Sequence, residues 1–211
     1  MIIAVDGPTA SGKGTIARAL AEEFGLPHLD TGLLYRAVGR QAVISDFNPD
    51  DPVEALCACG FPDELLNDPE LRTEETGGLA SRVSVHPGVR EALYERQRSF
   101  ALQEGGAVLD GRDIGTVIIP EEADAKLFVT ASAAARASRR FREMQSNGVE
   151  TTLEEITAQI EARDKRDEER EDSPLKPAED AYVLDTTLMK KEEAISAAIR
   201  AVKRMVEDGA A

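Results

Sequence analysis

One short stretch restricts the fold more than any other: Gly7-Pro8-Thr9-Ala10-Ser11-Gly12-Lys13-Gly14-Thr15, a Gly-x4-Gly-Lys loop. It follows an apolar run, Met1 to Val5, and opens a helical pattern, Gly14 to Phe24, with Ile16, Ala17, Leu20, Ala21 and Phe24 on one face and Gly25 as the stop. Each residue type has a task. The glycines let backbone amides curl around a phosphate, the helix N-terminus adds a positive dipole, and Lys13 brings a mobile charge between β- and γ-phosphates. A chance glycine-rich turn accounts for neither the strand before nor the helix after.

Around the loop, short apolar runs alternate with longer helical patterns, which predicts an α/β fold with a parallel sheet and crossover helices. The predicted strands are Met1 to Val5, Leu26 to Leu29, Ala107 to Leu109, Lys126 to Val129 and Ala181 to Leu184. Ser132 is expected to cap a helix through Met144, Thr152 with Glu155 forms a capping box for another, and a last helix covers about Lys190 to Val206. From Asp46 to Glu75, Asn48-Pro49-Asp50-Asp51-Pro52, Phe61-Pro62-Asp63 and Asn67-Asp68-Pro69 break the chain into short pieces that read as an inserted helical lobe. The expectation is one domain, 1–211, with excursions at about 35–87 and 142–153.

Charge narrows the partners. A net charge of −15 opposes nucleic acid and anionic membrane, which need a basic footprint. Yet 18 of the 25 basic residues are Arg, whose rigid fork suits phosphate oxygens, so local anion binding is open. The apolar start is too short for a signal-peptide core and no run is long enough to span a bilayer, so a cytoplasmic chain is expected. Cys57 and Cys59, with no further Cys or His cluster nearby, read as free thiols.

The Gly-Lys-Gly-Thr of the loop resembles the P-loop nucleoside monophosphate kinases, and the likeness continues along the chain. Asp30-Thr31-Gly32-Leu33-Leu34-Tyr35-Arg36 looks like their monophosphate-binding turn. Asp110-Gly111-Arg112-Asp113-Ile114-Gly115-Thr116, Arg163-Asp164-Lys165-Arg166-Asp167 through Arg170, and Val183-Leu184-Asp185-Thr186-Thr187 are similar to the bacterial cytidylate kinases within that group. The resemblance implies a P-loop fold with a five-stranded parallel sheet flanked by helices, an acceptor-binding lobe and a short lid. It implies transfer of the γ-phosphoryl group of ATP to CMP or dCMP, with Mg²⁺, by a monomer. Segment 46–75 departs from the longer insert with a small β-sheet that many relatives carry.

Carried over residue by residue, the resemblance puts ATP on Gly7 to Thr15 and on Arg136, Arg139 and Arg140. CMP falls to Thr31, Tyr35, Arg36, Ser81, Arg90, Arg112, Asp113, Arg163, Asp167 and Arg170, with Lys13, Arg112, Arg163 and Arg170 carrying catalysis. In the cytosine reading, Asp113 accepts from the 4-amino group while Arg90 or Ser81 donates to the ring. Ser81 and Arg90 read equally as helix-surface residues, and Arg112-Asp113 as a turn ion pair. Arg163, Asp167 and Arg170 at i, i+4 and i+7 share one helical face, as a clamp or as part of a solvated, salt-bridged helix. The hydroxyl that usually follows the loop lysine is displaced to Thr15, so the metal is expected to be held through water and phosphate, with Asp110 orienting the waters; Asp110 before Gly111 is also a natural turn-former. An acceptor phosphate is already an anionic nucleophile, so neither His28 nor His86 is asked to act as a base. The rival chemistries are a nucleotide switch, for which no Asn-Lys-x-Asp guanine reader is present, and a kinase of a neutral hydroxyl, for which Asp30 would be the base.

Overall fold

The computed structural model describes residues 1–209, so the last two positions of the expected 1–211 domain lie outside the described residues. The chain forms two compact units, residues 1–29 with the chain from 101 onward, and residues 30–100.

The first unit holds a five-stranded sheet built from β1 (Ile2–Asp6), β2 (His28–Asp30), β3 (Ala107–Gly111), β4 (Ala125–Thr130) and β5 (Tyr182–Asp185) in the order β2-β3-β1-β4-β5. β1 pairs in parallel with β3 from Ile2 opposite Ala107, and with β4 from Ile3 opposite Ala125, while β4 pairs in parallel with β5. β1 is therefore central, and residues 7–15 leave its carboxyl end, the edge where open α/β sheets bind ligands. β2 begins two residues later than its apolar run. Leu26 N–H bonds back to Ala21 O behind the left-handed Gly25, and Pro27 has no N–H to give a ladder.

One face of the sheet is closed by α1 (Lys13–Phe24) and α8 (Lys191–Gly209). Ile3, Val5, Leu127, Val129 and Leu184 meet Ile16 and Leu20 of α1 and Ala194, Ala198 and Val202 of α8, all buried. Each such large aliphatic side chain contributes roughly 1.5–3 kcal/mol of burial. α6 (Ala133–Ser146) starts at Ser132, whose Oγ accepts from Ala135 N–H, and α7 (Leu153–Glu169) starts at the reciprocal Thr152–Glu155 box. The two pack through Ala137, Ile156 and Ile160 with Phe141 and Met144.

The second unit is helical: α2 (Thr31–Ile44), α3 (Pro52–Cys57), three short 3-10 turns between Ala58 and Arg72, α4 (Glu74–Val83) and α5 (Pro87–Ala101), whose last residue lies in the first unit. Segment 46–75 is thus short helical pieces. Asp51 and Asp68 cap two of them, and prolines at 52 and 69 occupy first-turn positions where a missing N–H costs nothing. Gly39 of α2 lies against α4, where a Cβ would come 2.7 Å from Leu79 Cβ.

Candidate functional site

The loop after β1 owes its shape to backbone geometry. Gly7 has φ 153°, and a Cβ there would collide with the carbonyl of Val129. Ala10 at φ 56° and Gly12 at φ 92° take left-handed conformations, the former strained for a residue with a side chain. No side chain caps the start of α1, so its dipole and first amides serve the loop. Ser11 Oγ is buried without a hydrogen-bond partner, a cost that a bound anion with acceptor oxygens would remove. Lys13 Nζ reaches Pro8 O at 3.4 Å.

Beside the loop lies a cavity of about 610 Å³, lined by Ser11, Gly12, Thr15, Arg139, Arg140 and Thr186 among others. That volume suits a nucleotide-sized ligand. Arg139 donates to the carbonyl and hydroxyl of Thr186, and Thr186 Oγ1 contacts Ser11 O at 3.1 Å and Thr130 O at 3.1 Å. Arg136 is different. Its guanidinium is spent on Ala131 O at 2.9 Å, Thr9 O at 3.2 Å and a two-pronged pair with Asp164 at 3.0 and 2.5 Å, so its link to a nucleotide runs through the loop it braces.

Asp110, at the end of β3, is buried, with Oδ1 2.7 Å from His28 Nε2. Its Oδ2 faces the first turn of α1, 3.6 Å from where a Cβ on Gly14 would stand. His28, which the chemistry does not need as a base, instead orients this carboxylate. No group of three or more His, Cys, Asp or Glu side chains able to hold a metal occurs among the described residues. One buried carboxylate fits a Mg²⁺ ion that takes most of its ligands from water and phosphate.

The 110–116 segment continues into a π-helical turn, Ile114–Ile118. Asp113, 4% exposed, precedes it, and Asp6 at the end of β1 accepts from Ile114 N–H at 2.9 Å and Gly115 N–H at 2.8 Å. Burial pushes the Asp6 carboxyl up to about 7 against those two donations. Sequence reasoning missed Asp6; its one signal is an acidic residue closing an apolar run just before the loop.

Arg112 Nε donates to Asp167 Oδ2 at 2.7 Å. Burial raises the Asp167 carboxyl, but Arg112, Arg163 and Arg170 together overcome that and hold it below the usual carboxylate range. Positions 163, 164 and 167 of α7 turn inward while 165, 166, 168 and 169 are exposed, which separates the clamp from the solvated face. Arg170 does not complete the face as expected. α7 ends at Glu169, and Arg170 is its extended C-cap, with Nε donating to Ser173 O at 2.7 Å. Ser173 at φ 53° and Pro174 follow, so the helix does not resume.

In the second unit, Asp30 Oδ1 caps α2 through Gly32 N–H at 3.0 Å, which gives that carboxylate a structural task instead of the base role of the hydroxyl-kinase reading. Thr31 and Tyr35 are buried in α2. Arg36 Nη1 donates to Leu71 O at 2.7 Å and Thr73 O at 2.8 Å, and Gly77 leaves room for the guanidinium, since a Cβ there would stand 2.9 Å from Nη2. Ser81 and Arg90 are buried, not surface residues, and Arg90 lies over the Tyr35 ring at 5.8 Å.

A β1-loop-α1 unit of this shape on a parallel sheet defines a P-loop phosphotransferase fold. The cytidylate kinase family model matches residues 3–204, and the chain belongs to the cytidylate kinase family. It is 54% identical over 203 residues to the cytidylate kinase of a Caulobacter species, covering 96% of this chain and 94% of that one. To that of Granulibacter bethesdensis it is 52% identical, covering 97% of each chain. The crystal structure of an uncharacterized protein from Eubacterium ventriosum shares the fold with a TM-score of 0.55 at 15% identity, covering 96% of this chain and 98% of that one. Among the described residues no helix is long and apolar enough to cross a membrane.

Proposed function

We propose that the residues described above carry the activity of this family, transfer of the γ-phosphoryl group of ATP to CMP or dCMP to give CDP or dCDP. The observation that carries the reading is the strand-loop-helix anion site in a chain that matches the family along almost its whole length. Residues 7–15 cradle the ATP phosphates through backbone amides, and Lys13 follows the migrating charge. Arg139 and Arg140, on the wall of the 610 Å³ cavity, take the donor nucleotide, and Arg136 holds the loop in shape.

On the acceptor side, Arg36 and Arg112 take the CMP phosphate, and Asp113, Ser81 and Arg90 the base. Asp167 binds the ribose and Arg163 and Arg170 neutralise phosphate charge, while Thr31 and Tyr35 complete the CMP contacts. The ion pair of Arg112 with Asp167 supports this division, because it keeps both groups ordered before a nucleotide arrives. Mg²⁺, held by Asp110 through water, would supply charge neutralisation on the phosphates. Deprotonation plays no part, since the attacking phosphate oxygen is already anionic. The excursions at 35–87 and 142–153 exclude water on closure in this reading. In this reading the chain works as a cytoplasmic monomer, and its net charge of −15 speaks against nucleic-acid or anionic-membrane partners.

ADP release with CMP, dCMP, UMP, AMP and simple sugars as acceptors is the test. CMP and dCMP turn over well, and UMP falls behind by about a hundredfold, because its carbonyl meets the Asp113 carboxylate and leaves both unpaired. Equal use of AMP, UMP and CMP overturns the base assignment.

A further inference from the structure

We propose that Asp6 is a positioning residue for base recognition: from the end of β1 its carboxylate pins the backbone of the 113–115 turn and so fixes where the Asp113 carboxylate stands. The inference rests on the reading of Asp113 as the residue that meets the base.

The geometry is that of a helix cap supplied by a distant strand. The π-helical turn begins at Ile114 with no side-chain cap of its own from Asp113. Its first two amides would be orphan donors in a buried place. Asp6, more than a hundred residues away in sequence, satisfies both, one with each carboxylate oxygen. The Asp113 carbonyl in turn accepts from Val117 N–H at 2.9 Å and Ile118 N–H at 3.2 Å. The peptide unit after Asp113 is thereby clamped at its carbonyl by the turn and at its amide by β1, which leaves the Asp113 side chain little freedom beyond its own rotamers. Gly115 fits the arrangement: a Cβ there would crowd the Lys126 stem, 3.2 Å from its Cδ, and stand in ordinary contact with Asp6 Oδ2 at 3.5 Å.

A buried acid is a costly way to hold a turn, and two acceptor oxygens on one planar group are what the two adjacent amides require. The neighbours place Asp6 functionally as well. After desolvation and the two amides, the charges that act on it are Asp113, which pushes it up, and Lys13, which draws it down. Asp6 thus stands in the fields of both the base reader and the loop lysine. Arg112, adjacent to Asp113 and paired with Asp167, inherits the same backbone placement.

Steady-state kinetics with CMP and UMP on the full chain, for wild type, Asp6→Asn, Gly115→Ala and Asp113→Asn, test this. Asp6→Asn keeps one acceptor but turns an NH₂ group against the other amide. It should raise KM for CMP about tenfold and cut the CMP-over-UMP preference about tenfold, with KM for ATP changed much less. A role confined to stability would lower kcat for both acceptors alike and leave their ratio intact, which overturns the proposal. Gly115→Ala, whose added carbon crowds the Lys126 stem and so shifts the turn that Asp6 holds while leaving Asp6 itself unaltered, should narrow the ratio in the same direction, and it decides the matter if Asp6→Asn yields no folded protein. A narrowed ratio in Asp113→Asn but in neither other variant refutes the Asp6 assignment alone. An unchanged ratio in Asp113→Asn removes the base reading itself, and the Asp6 proposal with it.

Discussion

Residues 7–15 and the helical unit 30–100 use cations in opposite ways. The loop is shaped by main-chain torsions, Gly7, Ala10 and Gly12 all at positive φ, and its cation Lys13 sits on a flexible stem that reaches Pro8 O at 3.4 Å. In the helical unit, Arg36 is tethered by two carbonyls from another stretch of chain, at 2.7 and 2.8 Å, and lies over the space that Gly77 leaves. A mobile charge suits a group that must follow a phosphoryl in flight; a tethered one suits a phosphate that must wait in line. The first device is local in sequence and the second is tertiary.

The contrast can be broken at its strongest point by Lys13→Ala. Turnover should fall about a thousandfold or more while the thermal unfolding midpoint hardly moves, because this lysine's work lies in the transition state. Near-normal turnover in the folded variant would erase the distinction. Gly39→Ala probes the helical side, since the added carbon meets Leu79 Cβ at 2.7 Å and its backbone carbonyl carbon at 3.0 Å. Overpacking of this kind costs about 1–3 kcal/mol, readable as a shifted denaturant midpoint, with no matching loss if helices α2 and α4 can slide apart freely.

Gly77→Ala sharpens the comparison further by displacing the tethered arginine. KM for CMP should rise about fivefold and KM for ATP stay within about twofold; equal changes in both would deny Arg36 a dedicated role on the acceptor. The last test concerns pH. The folded Asp6 carboxyl titrates near 7 against an ordinary 3.8, so the folded chain holds a proton that the unfolded chain has released, and stability attributable to Asp6 falls as pH rises between those values. The stability gap between wild type and Asp6→Asn should therefore shift against the wild type from pH 4 to pH 7 in urea titrations. A pH-independent gap would show Asp6 titrating normally.

What the sequence displays depends on the same local-to-tertiary distinction. The loop, the five strands and the Thr152–Glu155 box are written in consecutive residues, and the structure places them within one or two positions of expectation. The family pieces pointed to the segments in which the structure pairs Arg112 with Asp167 and buries Asp113. Partners across long separations were not legible. Asp6 with Gly115, His28 with Asp110 and Arg136 with Thr9 join residues 82 to 127 positions apart, and no periodicity encodes such meetings. Arg170 shows the reverse, an ideal helical wheel extended one residue past the end of the helix at Glu169.

The central place of β1 also sets a timetable for synthesis. Its partners begin at Ala107 and Ala125, so the strand that carries the phosphate loop waits unpaired on both sides until more than a hundred further residues have been made. In that interval the ribosome delivers all of residues 30–100, whose helices meet one another over far shorter loops. Closing the long loop between β1 and β3 carries the larger entropic cost, and an apolar strand with two open edges is the form most exposed to wrong pairing. The loop thus leaves the ribosome well before the strands that hold it in place and is among the last segments to acquire its shape.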